Sequence, residues 1–261
     1  MKVRYLRVLW RFWGTAMAAE LEYRGNFLIA ALSAFGGALG SLFGISLLYQ
    51  GGYQPGGWRF EEALLVLAAF LMLDGFSFVL LYPNLGRIVE HVQKGTLDFV
   101  LLKPIDSQFW LSCRSLSPWG LADLLIGLGL WVYAGLRLGL GLLDYLLGLG
   151  FLLLAMLILY SLWFLIASSS IWFVKVTNAV EVLRALLEAG RFPVQAFPPV
   201  YRFVFTFVVP VAFLTTVPAE AVLGRLGPSS LALSVGLALG LLGLSRLFWR
   251  VALRNYTSAS S

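Results

Sequence analysis

The sequence of 261 residues holds one cysteine, Cys113, and one histidine, His91. A single thiol excludes an intramolecular disulfide. One Cys and one His exclude a zinc site unless several carboxylates join them. Catalysis through a serine–histidine or cysteine–histidine pair would have to use His91, which sits in a polar stretch between basic residues. Charge is scarce too: 12% of residues are charged and 60% are hydrophobic. None is charged between Arg24 and Arg59, and none from Tyr145 to Val174. A soluble domain this apolar could not cover its surface with polar groups. There is no G-x-x-x-x-G-K-[ST] phosphate loop, so ATP has no site of that kind on this chain. The head-group transferase pattern D-x-x-D-G-x-x-A-R and a rhomboid-like G-x-S-G are absent as well, which argues against an intramembrane enzyme.

The chain does contain long uncharged runs separated by short loops. A bilayer crossing takes about 20 mostly apolar residues. Six such runs are predicted: about Phe27 to Tyr49, about Ala63 to Tyr82, about Leu116 to Leu136, one inside Leu142 to Val174, one within Phe203 to Ala219 interrupted by Pro210, and about Ser229 to Ser245. No signal-peptide cleavage pattern precedes the first run, which is read as span one. The fold class is therefore an all-α polytopic membrane protein, a single domain over residues 1–261 with six transmembrane helices. Gly36, Gly40 and Gly44, and again Gly236 and Gly240, form small-xxx-small patterns that let another helix approach closely.

Residues 1–24 read as an amphipathic helix. Arg4, Arg7 and Arg11 share one face, and Leu6, Trp10, Trp13 and Met17 share another. A basic helix with tryptophans is expected to lie in the interface plane on the anionic side of a membrane. Asn178 to Arg191 is predicted as a second interfacial helix, with Val180, Leu183 and Leu187 beside a charged stripe of Glu181, Arg184 and Glu188. The polar tail 255–261 is expected to be disordered.

With both termini cytoplasmic, the outside loops hold only Arg59, Arg137 and Arg225 of the 19 basic residues, and Arg191 and Arg202 count as inside. The positive-inside rule favours that orientation. Loop bias also accounts for the net charge of +6, and nucleic acid is not an expected partner. Membrane lipid is.

Asp74 lies near the middle of span two. A carboxylate there costs roughly 2.5–3.5 kcal/mol unless it faces protein or water. It reads either as a counter-charge for a cationic or polar substrate, or as a buried structural residue bonded to a neighbouring span. Phe70, Phe76, Phe78 and Tyr82 accompany it, and aromatic faces attract cations. Asp74, Phe70 and Phe78 are the candidate substrate path. Asp123, nearer the cytoplasmic end, reads as structural or interfacial.

The loop 83–115 differs from the others. Thr96 can cap a short helix starting at Leu97, with Asp98 in its first turn and Leu97, Phe99, Val100, Leu101 and Leu102 as an apolar set. Pro104 ends it. Apolar surface offered to the cytosol points to a protein partner. The alternative is a helix lying flat in the interface.

Gly95-Thr96-Leu97-Asp98-Phe99-Val100-Leu101-Leu102-Lys103-Pro104, after Glu90, resembles the G-x-L-D-x-x-L-x-K-P stretch of ABC-2 type transporter permeases, of the uncharacterised ABC-type transport system branch. The six-span layout, the basic N-terminal helix and the run from Arg191-Phe192-Pro193 to Pro218 are similar to that branch as well. The resemblance covers nearly the whole chain and implies a type V exporter-like transmembrane domain. It implies that Glu90, Gly95, Thr96, Leu97, Asp98, Phe99, Leu101, Leu102, Lys103 and Pro104 form a coupling segment. That segment docks on a separate ABC ATPase, present in two copies and holding ATP and Mg. It implies that Arg4, Arg7, Trp10, Arg11 and Trp13 belong to the connecting helix, which also touches the ATPase. A second permease, a paralogue or an identical copy, completes the pathway. Export of an amphipathic small molecule or lipid-like substrate across a bacterial inner membrane follows from the resemblance, a cationic drug being one candidate. No catalysis or cofactor is expected on the chain itself. Two other readings remain: a membrane assembly or anchoring factor, and a secondary transporter, which would show paired broken helices in repeated halves.

Overall fold

A computed structural model describes residues 9–16, 18, 24–173 and 176–257. Residues 9–16 are helical. Helix α1 follows over Arg24–Leu48. Beyond the turn at Pro55–Gly57, α2 (Phe60–Phe76) begins with the Arg59 backbone N–H donating to the Glu62 carboxylate at 3.0 Å. A π-helical turn, Ser77–Leu81, joins α2 to α3 (Tyr82–Gln93) without a break. Then come α4 (Leu97–Leu101), α5 (Ser107–Cys113), α6 (Leu121–Leu138) and α7 (Leu142–Ser168). The chain ends with α8 (Val176–Leu187), α9 (Pro199–Phe203), α10 (Val211–Leu214), α11 (Thr216–Val222) and α12 (Pro228–Asn255). No strand occurs among the described residues.

Among those residues, five helices are long and apolar enough to cross a membrane: Leu28–Leu48, Phe60–Gln93, Pro118–Leu138, Leu142–Ile171 and Pro228–Asn255. The hub is α2. Every side chain from Ala63 to Leu73 is buried, because this helix is apolar on all sides and every side finds a neighbour. Helix α6 crosses it where Gly75 meets Gly120 and Gly127 meets Met72 and Ala68. Helix α7 packs on α12 and α11, and Trp163, Phe164 and Trp249 fill the space between. Helix α1 lies on the flank, with Leu28, Ile29, Leu32, Phe35, Leu39 and Phe43 exposed.

The run predicted as span five does not form a long helix, and a different segment runs along α2. Arg184 stands over Phe78 and Tyr82 at 5.3 and 5.5 Å, Leu187 lines a small void with Asp74, Arg191 stands over Phe70 at 4.6 Å, and Gln195 accepts a hydrogen bond from Trp58 at 3.1 Å. Residues 184–195 therefore climb antiparallel to α2, from its α3 end to its Trp58 end. Residues 184–191 of the segment predicted as an interfacial helix, Asn178 to Arg191, thus pack along the bundle, while Ala179, Glu181 and Val182 at its start are exposed. Of its charged stripe, Arg184 rests on Phe78 and Tyr82, and Glu188 pairs with Arg191.

Phe203 to Ala219 is not one span. A second π-helical turn, Val204–Val208, runs into extended Val209, and Pro210 cannot donate the next helical bond. The hairpin starts beside Phe197, dips until Val211 and Leu214 reach the Asp74 level, and returns to the Trp58 end. There Glu220 accepts from Gln195 at 2.8 Å, and Arg225 pairs with Glu62 at 2.6 Å. Arg202 donates to the backbone carbonyl of Gln195, so it too lies at the Trp58 end, and Arg191 sits partway along the bundle. Neither is on the side assigned to it by charge counting. Gly36, Gly40, Gly44, Gly236 and Gly240 face nothing within 4 Å, so they make no helix crossing inside this chain.

The tail differs in part. Asn255 closes α12 and Tyr256 packs against the core, where burial and then the Asp98 carboxylate raise its hydroxyl above the ordinary value. Residues 258–261 lie outside the described residues.

Candidate functional site

Two regions hold the residues singled out by sequence. The first is a cavity of about 310 Å³ on the flank between α1, α2 and the start of α6. Asp74 and Phe78 line it. Asp123, Trp119 and Arg191 line it with them. Asp123 is thus brought to the same cavity as Asp74, because α6 starts deep in the bundle at the Gly75–Gly120 contact. The α1 wall is small: Ala30, Ser33, Ala34, Gly37 and Ala38. Arg191 pairs with Glu188 and donates to Ser41 on α1, so its charge is already matched. Phe70 does not line this cavity. It is buried beneath Arg191 and walls a small void with Asp74 and Thr215. Phe78 stacks on Tyr82 at 5.0 Å, giving Arg184 two faces to rest on.

The arrangement leaves two carboxylates and two aromatic faces around one space. No ion pair among the described residues involves Asp74 or Asp123. Such a site favours a cation with apolar bulk. Among the described residues no cluster of His, Cys, Asp or Glu could hold a metal ion.

The second region is the end of the bundle where α3 turns into α4. Gly95 takes φ +65, a left-handed conformation open to glycine, and the Thr96 backbone N–H caps α3 by donating to the His91 carbonyl at 2.9 Å. Thr96 precedes α4 as expected, but its hydroxyl pairs with His91 Nδ1 at 2.7 Å rather than with the helix. The apolar set divides. Leu97 and Val100 are fully buried and fasten α4 to the core, while Phe99 is 68% exposed, Leu102 80% and Leu101 37%. Leu97 therefore cannot touch a partner. Its role is to hold the helix that presents the others. Asp98 lies against Tyr256, Lys103 stands over Trp110 at 5.3 Å, Pro104 is exposed, and Glu90 pairs with Lys94 in solvent.

Helix α5 is anchored from a distance. Arg246 on α12 forms an ion pair with Asp106 and donates to Gln108 at 3.1 Å, while Trp249 donates to Ser107 at 3.0 Å. Gln108, Ser112 and Tyr160 form a further buried chain of hydrogen bonds. Arg246 and Trp249 lie some 140 positions from Asp106 and Ser107, and no local pattern announces these contacts. The N-terminal helix reaches the same end, where Trp13 donates to the Cys113 carbonyl at 3.1 Å. Trp10 is exposed, as is Arg11, and Arg4 and Arg7 lie outside the described residues. Burial pushes the Cys113 thiol up, consistent with an unreactive sulfur.

A bundle of long apolar helices around a core made by α2 defines a polytopic integral membrane protein. Residues 35–260 match the family described as ABC-2 family transporter protein. The chain belongs to that family and is a membrane permease of an ABC transport system. Permeases of this family work with an ATPase subunit. No curated protein and no solved structure matches the chain.

Proposed function

We propose that this chain is the membrane subunit of an ATP-driven exporter, moving amphipathic cations or lipid-like molecules out of a bacterial cell across its inner membrane. The observation that carries the reading is the α4 end: a short helix bolted to the core by Leu97 and Val100 and offering Phe99, Leu101 and Leu102 outward. Exposed apolar groups ringed by Asp98, Lys103 and Glu90 fit a protein contact with an apolar centre and a polar rim. The partner is an ATPase subunit, in two copies, and ATP with its Mg is bound there. Both termini and the α4 end face the cytoplasm, since most basic residues gather on that side.

Force on α4 passes into α3, which is continuous with α2 through the π-helical turn beside Phe78. Such turns concentrate at functional sites, where one extra residue per turn weakens the helix locally. Docked ATPases closing on ATP would rock this lever and change access to the Asp74 cavity. Residues 176–196 and the five long helices give six crossings, and the Pro210 hairpin re-enters from the outer face. The exposed face of α1, with Gly36 and Gly40 open to close approach, suits a second permease subunit, identical or paralogous. Asp74 and Asp123 act as counter-charges for the substrate, Phe78 and Trp119 as its apolar walls, and Phe70 positions Arg191.

Affinity purification in mild detergent tests this. Wild type should bring down an ATPase, and F99R/L102R, whose changes fall on exposed side chains, should lose it without losing thermal stability. Purification of a stable wild type with no ATPase would overturn the reading.

A further inference from the structure

A separate cavity of about 450 Å³ lies where the N-terminal helix meets the rest of the chain. Phe12, Thr15 and Ala16 form one wall, Pro83 and Arg87 of α3 a second, and Arg114, Ser115 and Leu116 a third. Its character differs from the Asp74 cavity: two guanidinium groups face it and no carboxylate lines it. The four ion pairs among the described residues involve neither Arg87 nor Arg114. The nearby Glu90 is engaged by Lys94.

Both arginines are held in place by neutral partners. Arg87 donates to the Ser115 hydroxyl at 3.2 Å, and the Arg114 guanidinium stands over Trp110 at 4.5 Å. The strand of backbone between them is fixed: the Asn84 side chain donates to the Ser115 carbonyl at 2.7 Å and accepts from the Ser115 N–H at 2.8 Å. Partial burial, and after it the Arg87 charge, pull Arg114 below its ordinary value. Two like charges are thus pre-positioned around one space with a hydroxyl between them, an arrangement that a divalent or monovalent oxyanion would relieve.

The level of this cavity narrows the ligand. Pro83 marks the point where the all-apolar α2 passes into amphipathic α3, whose Gly86, Arg87 and Glu90 are exposed while Leu85, Ile88 and Val89 stay buried. The neighbouring Trp13 and exposed Trp10 are residues of a membrane–water boundary. Phe12 and Leu116 supply apolar walls at the same place. We propose that this cavity binds the phosphate group of an anionic lipid headgroup, with Arg87 and Arg114 as its two cationic contacts and Ser115 as a hydrogen-bond partner. Bound lipid then fastens the N-terminal helix to α3 and to the backbone after α5.

Native mass spectrometry of the purified full chain in detergent tests this, with phosphatidylglycerol and phosphatidylcholine added in equal amounts. Wild type should retain phosphatidylglycerol several-fold over phosphatidylcholine. R87Q/R114Q should lose that preference, each single change should lose part of it, and R87K/R114K, which keeps the charges, should retain most of it. Competition by millimolar inorganic phosphate would support the oxyanion site and assign it to a soluble phosphate instead of a lipid. Equal retention of both lipids by wild type, or an unchanged preference in well-folded R87Q/R114Q or in both single variants, would overturn the proposal.

Discussion

Gly75 and Gly120 face each other so closely across the α2–α6 crossing that a β-carbon on either would strike the other's backbone; on Gly75 it would lie 2.7 Å from the Gly120 carbonyl oxygen. The crossing sets the depth at which α6 begins, and so brings Asp123 to Asp74. Gly120→Ala should therefore destabilise the protein by about 1–3 kcal/mol, the usual cost of overpacking. Gly36→Ala, with nothing within 4 Å, should leave thermal stability of the isolated subunit unchanged. Thermal unfolding of the two variants in detergent checks the pair.

The ion pair between Asp106 and Arg246 gives a pH signature. Burial works against the Asp106 charge, but the Arg246 guanidinium and the Phe109 N–H outweigh it and hold the carboxyl below the usual range. A lowered folded-state value means stability that is present above the ordinary carboxylate value of about 3.9 and is lost as pH falls through the lower folded value. Arg246→Gln should lower the melting temperature at neutral pH, and the gap from wild type should close as the medium is acidified through that window. A gap independent of pH would show that Arg246 acts through packing alone.

Asp74 and Asp123 share one cavity, so their removal should not be additive. Asp74→Asn should reduce transport of, or resistance to, lipophilic cations. Asp123→Asn should do the same more weakly. The double variant should fall little below Asp74→Asn. Uptake assays in vesicles with a cationic dye and a neutral amphiphile separate the charge effect from a loss of fold, since the neutral compound should be affected less.

The two faces of α4 predict opposite phenotypes. Leu97 is fully buried, and Leu97→Arg forces a charge into the core, so the protein should fail to accumulate. Leu102 is 80% exposed, and Leu102→Arg should leave yield and melting temperature unchanged. Expression level and unfolding midpoint of the two variants side by side measure this.

Much of this architecture is legible in the residues. The long apolar runs mark α1, α2, α7 and α12, because nothing but a bilayer or a core accommodates them. Thr96 and Pro104 bracket α4, since a turn glycine and a proline punctuate the chain there. What escapes is whatever depends on a partner distant in sequence. Glu181, Arg184, Glu188 and Arg191 make Asn178 to Arg191 look interfacial by hydropathy, and only the structure reveals Phe78 and Tyr82 receiving Arg184, and Phe70 and Ser41 receiving Arg191. Glycine spacing points to Gly36 and Gly40, whereas the tight contact within the chain is between Gly75 and Gly120, which no spacing rule connects. The division of α4 into buried Leu97 and exposed Phe99 and Leu102 is invisible for the same reason: five apolar residues within six positions give no inner or outer face until the core is present.

The most direct test of the coupling account is photocrosslinking from a benzoylphenylalanine placed at position 102, in native membranes, with the same probe at Tyr53 as the control from the opposite end. Tyr53 is 65% exposed, so both probes reach their surroundings. The account predicts an adduct with an ATP-binding chain from position 102 and none from position 53. Absence of that adduct at 102 in membranes that contain the transporter, or equal adducts from both ends, would contradict it.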